Sequence, residues 1–317
     1  MRVLLFGATG TIGKATVRAL IAPGHEVLCV CRPGSGADLP DRAERVEADV
    51  TSAASVKAAF EAVGKVDAVM SCLASRTGSP KDAWAIDHAA HVVILKKAVA
   101  AGVPRFVQLS ALCVQKPALA FQHAKLAFED QLKSSPLDWT IVRPTAFFKS
   151  LSGQWDRVRA GKPFLLFGDG TLTACKPISD RDLAAFMVAC LDDPAARNAV
   201  MPVGGSGPAI TPHAQARLLC AAAGVPVKTR KVPVAMMHLI VGGLTLAGKI
   251  SPRLAEKAEL ARIGRYYATE SMLVWDGEAG RYDAEATPET GSDTLAGHYA
   301  QMARGEVGDE RGAHAVF

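Results

Sequence analysis

The chain has 317 residues, 49% of them hydrophobic, enough to bury a large core in one big domain or two coupled ones. Its formal charge of +5 is small for that length, and no run of Lys and Arg forms a nucleic-acid footprint; a mild positive balance suits phosphate or carboxylate ligands. The seven cysteines include no C-x-x-C pair and stand among apolar neighbours, which argues against a metal site and for reduced, buried thiols in the cytoplasm.

Arg2–Phe6 reads as a short strand running into a glycine turn, not as a signal peptide. Thr11–Ile21 has helical apolar spacing and stops at Pro23-Gly24; Glu26–Cys31 is a second strand and 46–48 a short third. Ser52 is placed to cap the next helix, and 67–71 is a strand. A long helix is expected over 82–101, ended by Gly102, followed by a strand at Arg105–Leu109, a helix at 119–133 and a strand at 139–142 before Pro144. Apolar strands alternating with helices imply a doubly wound parallel α/β sheet of the Rossmann type, with ligands at the carboxyl ends of its strands.

Beyond Ser150 the alternation loosens. A helix at 180–191 and a strand at 200–203 are expected, then apolar helical stretches at 212–223 and 232–250, and a polar tail from Gly305 that frays. Residues 1–150 are thus expected to form a dinucleotide-binding domain. Residues 151–317 should form a smaller, largely helical substrate-binding part, with about 177–205 returning to the first domain. The stretch 232–250 is broken by His238, Gly242, Gly243 and Gly248 and falls short of a membrane span. It reads first as a buried or pocket-lining helix, and second as a helix resting loosely on a membrane or a greasy partner.

The strongest chemical signal is Gly7-Ala8-Thr9-Gly10-Thr11-Ile12-Gly13, between a strand and a helix. Gly7 permits a tight turn, Gly10 removes the side chain that would block a pyrophosphate, and Gly13 lets helix and strand approach closely. The spacing resembles that of the extended and atypical short-chain dehydrogenase/reductases. The second strand ends in Cys31-Arg32, where an NAD enzyme usually carries an acid for the ribose 2′-hydroxyl. Arg32 instead suits a 2′-phosphate, so NADPH is the expected cofactor. Asp49 and Val50 stand where that superfamily contacts adenine, Cys72, Leu73 and Ala74 where it borders the adenosine ribose, and Ser110 and Pro144 at strand ends nearer the nicotinamide. Short-chain dehydrogenases carry Y-x-x-x-K on a helix; here Phe121 fills the Tyr position and Lys125 is kept. Phe121 has no proton to give, which disfavours ketone–alcohol chemistry by that route.

Longer strings carry a closer resemblance: 71–78 (SCLASRTG), 109–117 (LSALCVQKP), 141–150 (IVRPTAFFKS), 167–170 (FGDG), 175–179 (CKPIS) and 263–272 (IGRYYATESM). Over nearly its whole length the chain resembles the NADPH-type divinyl chlorophyllide 8-vinyl-reductases. The resemblance implies NADPH-dependent reduction of a vinyl group on a divinyl (proto)chlorophyllide to ethyl in (bacterio)chlorophyll synthesis. It also implies a photosynthetic source, a tetrapyrrole substrate and a location that is cytoplasmic or peripheral at photosynthetic membranes. A Phe at position 121 is expected in that family. Lys125 would then orient the nicotinamide ribose, and Lys125, Cys175, Lys149 or a water would supply the proton. Phe147, Phe148 and Trp155 would offer flat surface to the ring, unless they are core aromatics. Lys149, Lys176, Arg265 or Arg76 would pair with a propionate. An alkene reductase of the isoflavone or phenylpropanoid kind and a non-catalytic NADPH-sensing regulator are the alternatives.

Overall fold

In a computed structural model, which describes residues 1–35 and 38–307, backbone contacts divide the chain into two units. The first holds Met1–Ser75, Pro80–Pro144 and Asp180–Val203; the second holds Arg76–Ser79, Thr145–Ser179 and the described residues from Gly204 on. The tail expected to fray lies, from residue 308 on, outside the described residues.

The first unit opens with β1 (Arg2–Phe6), α1 (Thr11–Ile21), β2 (Glu26–Cys31), β3 (Ala43–Glu47), α2 (Ala53–Val63) and β4 (Ala68–Ser71). It continues through α3 (Pro80–Ala83), a π-helical segment (Trp84–Ala90), α4 (His91–Ala100), β5 (Arg105–Leu109), α5 (Ala120–Lys133) and β6 (Asp138–Pro144). The chain then supplies α6 (Trp155–Arg159) and β7 (Phe164–Phe167) to the second unit and α7 (Asp180–Ala189) and β8 (Ala199–Gly205) to the first, β8 leaving it at Gly204. All strands of the first unit run parallel, in the order β8-β6-β5-β4-β1-β2-β3. Val3, Leu4, Leu5, Phe6, Val69, Met70, Phe106 and Val107 are all fully buried, as strands covered on both faces demand. The winding reverses between β1 and β4, so the β1–α1 turn and the segment after β4 meet at the switch point where such sheets take ligands.

In the first unit, two elements differ from expectation. The third strand runs over Ala43–Glu47 instead of 46–48, because it lies at the sheet edge with only Ala43 and Val46 buried and Glu44, Arg45 and Glu47 exposed, and so shows no apolar run. The long helix carries the π-helical Trp84–Ala90, a change of period that a 3.6-residue pattern does not reveal.

The second unit packs α6, α8 (Pro212–Ala222) and α11 (Leu295–Ala303) around Phe148, Trp155, Phe164, Leu166, Leu219 and Tyr299. β7 pairs in parallel with β9 (Thr229–Val232); α9 (Val234–Gly248) and α10 (Pro252–Thr269) pack on each other; β10 (Val274–Asp276) and β11 (Arg281–Asp283) form a hairpin. β12 (Glu289–Thr290) pairs with Gly204 and Gly205. Sequence periodicity missed α10, and it took the stretch holding α9 for a buried or pocket-lining helix. Within α9 only Val241 is buried. The helix leans on α10, where Gly248 lets the Ala255 backbone approach, and most of its remaining apolar surface is open.

Gly13 sets the distance between α1 and the turn: a Cβ there would overlap the Gly7 carbonyl oxygen and come within 2.8 Å of the Gly7 carbonyl carbon. Gly13→Ala should therefore destabilise the fold by about 1–3 kcal/mol. Gly10→Ala, whose Cβ would meet only the Gly7 oxygen at 3.5 Å, should leave stability within about 1 kcal/mol. Urea denaturation of the two variants measures the contrast.

Candidate functional site

The turn after β1 is shaped by contacts that leave no room for side chains. Gly7 has φ +79°, and a Cβ on it would lie 2.7 Å from the Cys72 carbonyl carbon and 2.8 Å from the Leu73 nitrogen. Cys72 N–H in turn donates to the Phe6 carbonyl at 2.9 Å. Ala8 and Ile12 point inward, while Gly10 and Thr11 are exposed and Thr9 is half-buried. Gly10 is the N-cap of α1 and no side chain caps it. Its open flank and the helix start behind it form a cradle for an anionic group that approaches the backbone closely, as a pyrophosphate does. The residues present therefore fit a dinucleotide.

Around the cradle, Arg32 is exposed at the end of β2, where Ser35 bonds its carbonyl through backbone (2.9 Å) and hydroxyl (2.7 Å). Asp38, one of two acids in that loop, is ion-paired with Lys14, whose hydrogen bond holds its carboxyl below the ordinary range. Asp49 accepts from the Thr51 amide (2.9 Å) and hydroxyl (2.7 Å), which lower its pKa, and half-buried Val50 packs on the core beside it. Cys72 and Leu73 are half-buried and Ala74 is exposed. Pro144 is buried at the end of β6.

Behind β4 and β5 lies a layer of buried polar groups. Ser110 donates its hydroxyl to Glu129 at 2.5 Å, and Glu129 also pairs with Arg143, so the Ser110 side chain is committed to α5 and β6. His91 lies fully buried, its Nδ1 donating to the Ile86 carbonyl and its Nε2 accepting from the Ser71 hydroxyl, each at 2.8 Å. Burial, reinforced by the Lys125 charge, pushes its pKa down to about 4, so the ring is neutral.

Lys125 is 8% exposed and its ammonium lies 3.0 Å from Oδ1 of Asp87, which is 1% exposed. That oxygen also accepts from the Ser75 amide at 3.3 Å, and Oδ2 of Asp87 has no protein partner among the described residues. Asp87 lies in the π-helical segment and Lys125 on α5, four residues after half-buried Phe121. Gln122 secures the start of α5 by accepting from the Ala118 (2.7 Å) and Leu119 (2.9 Å) amides. Asp87, His91, Glu129 and Arg143 escaped the motif reading. The available signal was an acid and a histidine four residues apart in the helix around 84–95, which is apolar apart from them and His88.

The second unit's candidates do not form one surface. Phe148 and Trp155 are core residues, Phe148 tilted on His298 at 5.5 Å and Trp155 stacked on Tyr299 at 6.4 Å. Their rings are therefore committed to packing in place of a flat ligand, while Phe147 is half-buried, its backbone bridging to Ile178. Cys175 is buried, and burial pushes its thiol up to about 12, which makes it a poor proton donor. Lys176, 5% exposed, pairs with Glu289 at 2.6 Å and ties the segment before Ser179 to β12, so its charge is already answered within the fold.

A parallel sheet with a glycine cradle at its switch point defines a nucleotide-binding class, and residues 7–194 match the family described as NAD(P)H-binding. The chain is 44% identical to the chloroplastic divinyl chlorophyllide a 8-vinyl-reductase of Oryza sativa subsp. indica, across 99% of this chain and 82% of that protein. It is likewise 44% identical to the Arabidopsis thaliana protein of that name, across 98% of this chain and 79% of that one. The chain belongs to the divinyl chlorophyllide a 8-vinyl-reductase family. In fold it is similar to the NADPH-dependent quinone oxidoreductase QOR2 of Escherichia coli, crystallised with NADPH, at TM-score 0.64 and 17% identity over 95% of this chain and 99% of that one.

Two outcomes follow from the buried groups. Asp87→Ala strands the Lys125 charge and should cost about 3–5 kcal/mol, while Asp87→Ala/Lys125→Met should cost less than that single change; urea melts of both variants measure this. His91 titrates near 6.5 unfolded and near 4 folded, so its contribution is whole above the first value and is lost as pH falls toward the second. Between pH 7 and pH 5 the wild type should lose about 2 kcal/mol that His91→Gln does not.

Proposed function

We propose that this chain reduces the 8-vinyl group of a divinyl (proto)chlorophyllide to ethyl, with NADPH as the hydride source. The observation that carries the reading is the conjunction of 44% identity over 99% of this chain to a named 8-vinyl-reductase with a glycine cradle and a buried lysine on the helix that lacks the usual tyrosine.

The cofactor, when bound, supplies a hydride to the terminal carbon of the vinyl group, whose conjugation spreads the resulting charge into the macrocycle. The chain's own residues then have separable tasks. Gly7, Gly10 and Gly13 admit the pyrophosphate to the backbone, with Ala8, Thr9, Thr11 and Ile12 completing the turn. Arg32, exposed where the second strand ends and with no acid beside it in sequence, meets the 2′-phosphate, which is the reason to prefer NADPH over NADH. Asp49, Val50, Cys72, Leu73 and Ala74 border the adenosine; Ser110 and Pro144 stand at strand ends toward the nicotinamide. Lys125 donates to the nicotinamide ribose, its ammonium kept in one position by Asp87. Phe121 presents an apolar ring where a ketone reductase has its acid, which suits an alkene that needs no carbonyl protonation. The proton for the second carbon comes from Lys125, Lys149 or water, Cys175 being too weak an acid.

No described helix is long and apolar enough to cross a membrane, and the named relatives are chloroplastic. We place the reaction in the cytoplasm or at the rim of a photosynthetic membrane, where its greasy pigment resides.

Purified chain with NADPH should convert divinyl chlorophyllide to the monovinyl pigment, read as a shift of the blue absorption band; no conversion by protein that binds NADPH would overturn the assignment. Lys125→Ala should lower turnover at least about a hundredfold. Arg32→Ala should raise the NADPH dissociation constant by about ten- to a hundredfold and leave NADH nearly unchanged; equal loss for both cofactors would remove the 2′-phosphate argument.

A further inference from the structure

The most anomalous surface of the chain is α9. Its fifteen residues, VAMMHLIVGGLTLAG, contain no Asp, Glu, Lys or Arg, and only Val241 is buried. A helix that is apolar all round normally lies inside a core or in lipid, since a surface helix keeps a polar face. Here Leu239 is 77% exposed, Leu246 66% and the following Ile250 90%, with Met236 and Ile240 each near half. A contiguous apolar surface of this kind marks a place where something else docks.

Charge says what. Between Asp193 and Glu256 the chain has no acidic residue, while Arg217, Lys228, Arg230, Lys231, Lys249 and Arg253, all in the second unit, are basic. Lys228 just before β9, and Arg230 and Lys231 on it, lie exposed where the chain approaches α9, and Lys249, Arg253 and Lys257 lie exposed where the chain leaves it. An apolar helix between cationic flanks matches an anionic lipid surface, with acyl chains meeting the leucines and headgroups meeting the lysines and arginines. A second copy of the chain fits poorly, because a two-fold contact through this patch would oppose one cationic rim to the other. At 1.5 Å per residue the helix is too short for a hydrocarbon core of about 30 Å, so it lies in the plane of the interface.

We propose that α9 is a membrane-docking helix that seats the chain on anionic lipid bilayers. The proposal rests on this helix and its flanks, and stands or falls separately from the reaction.

The test is co-sedimentation of the full chain with vesicles of phosphatidylcholine alone or mixed with phosphatidylglycerol. Binding should be at least about tenfold tighter on the anionic vesicles and should weaken as salt is raised. Leu239→Glu/Leu246→Glu should abolish pelleting while NADPH titration and the circular dichroism spectrum stay as in the wild type. Lys231→Glu/Lys249→Glu should remove the preference for anionic lipid. Three outcomes would overturn the proposal: wild type that stays in the supernatant with every vesicle; a Leu239→Glu/Leu246→Glu protein that still pellets; or no vesicle binding together with a dimer that this double variant splits, which would give the helix to a second copy.

Discussion

The close approach of Gly13 to the Gly7 carbonyl is the constraint on which the rest of the first unit depends. It lets α1 start against the end of β1, while Gly7, at positive φ, lets the Cys72–Leu73 backbone lie across the turn. These contacts close the turn on its inner side and leave the flank at Gly10 open. The same economy of side chains that packs helix on strand therefore shapes an anion cradle. Packing and binding thus meet in one turn, where Gly7 and Gly13 close the inner side and Gly10 leaves the outer flank open.

Beneath that cradle the strand ends are held by buried polar pairs where an apolar filling would be expected. Asp87 with Lys125, Ser71 with His91, and Glu129 with Ser110 and Arg143 link the π-helical segment, β4, α4, α5, the residue after β5, and β6. Such groups cost desolvation, and their value lies in direction more than in stability. Lys125 in particular has few alternatives to the position Asp87 imposes. A cation fixed in this way is prepared to meet a ligand hydroxyl without reorganising, the property an electrostatic role in hydride transfer requires.

Much of this was legible in the sequence, for reasons that can be named. The parallel sheet followed from apolar runs alternating with helices, and the turn from Gly7, Gly10 and Gly13, since only glycine survives the approaches at Gly7 and Gly13. Phe121 four residues before a retained Lys125 disfavoured ordinary ketone chemistry by that route on spacing alone. What stayed hidden depends on pairs far apart in the chain. Nothing local marks Asp87 as the partner of Lys125, or Glu289 as the partner of Lys176. The aromatics after β6 were ambiguous by nature, since a ring that packs on Tyr299 and a ring that awaits a pigment look alike in sequence. In α9 the composition was read correctly and the surroundings were not, because hydropathy cannot tell a helix covered by protein from one that is open.

The central claim is that the glycine turn cradles a nicotinamide dinucleotide whose ribose meets the cation held by Asp87. A crystal structure of the chain grown with NADP tests it most directly. The account predicts the pyrophosphate against Gly10 and the helix start behind it, the 2′-phosphate beside Arg32, and a ribose hydroxyl within hydrogen-bonding distance of Lys125 Nζ. A dinucleotide bound elsewhere, or a turn filled by one of the protein's own side chains while cofactor is present in excess, would contradict it.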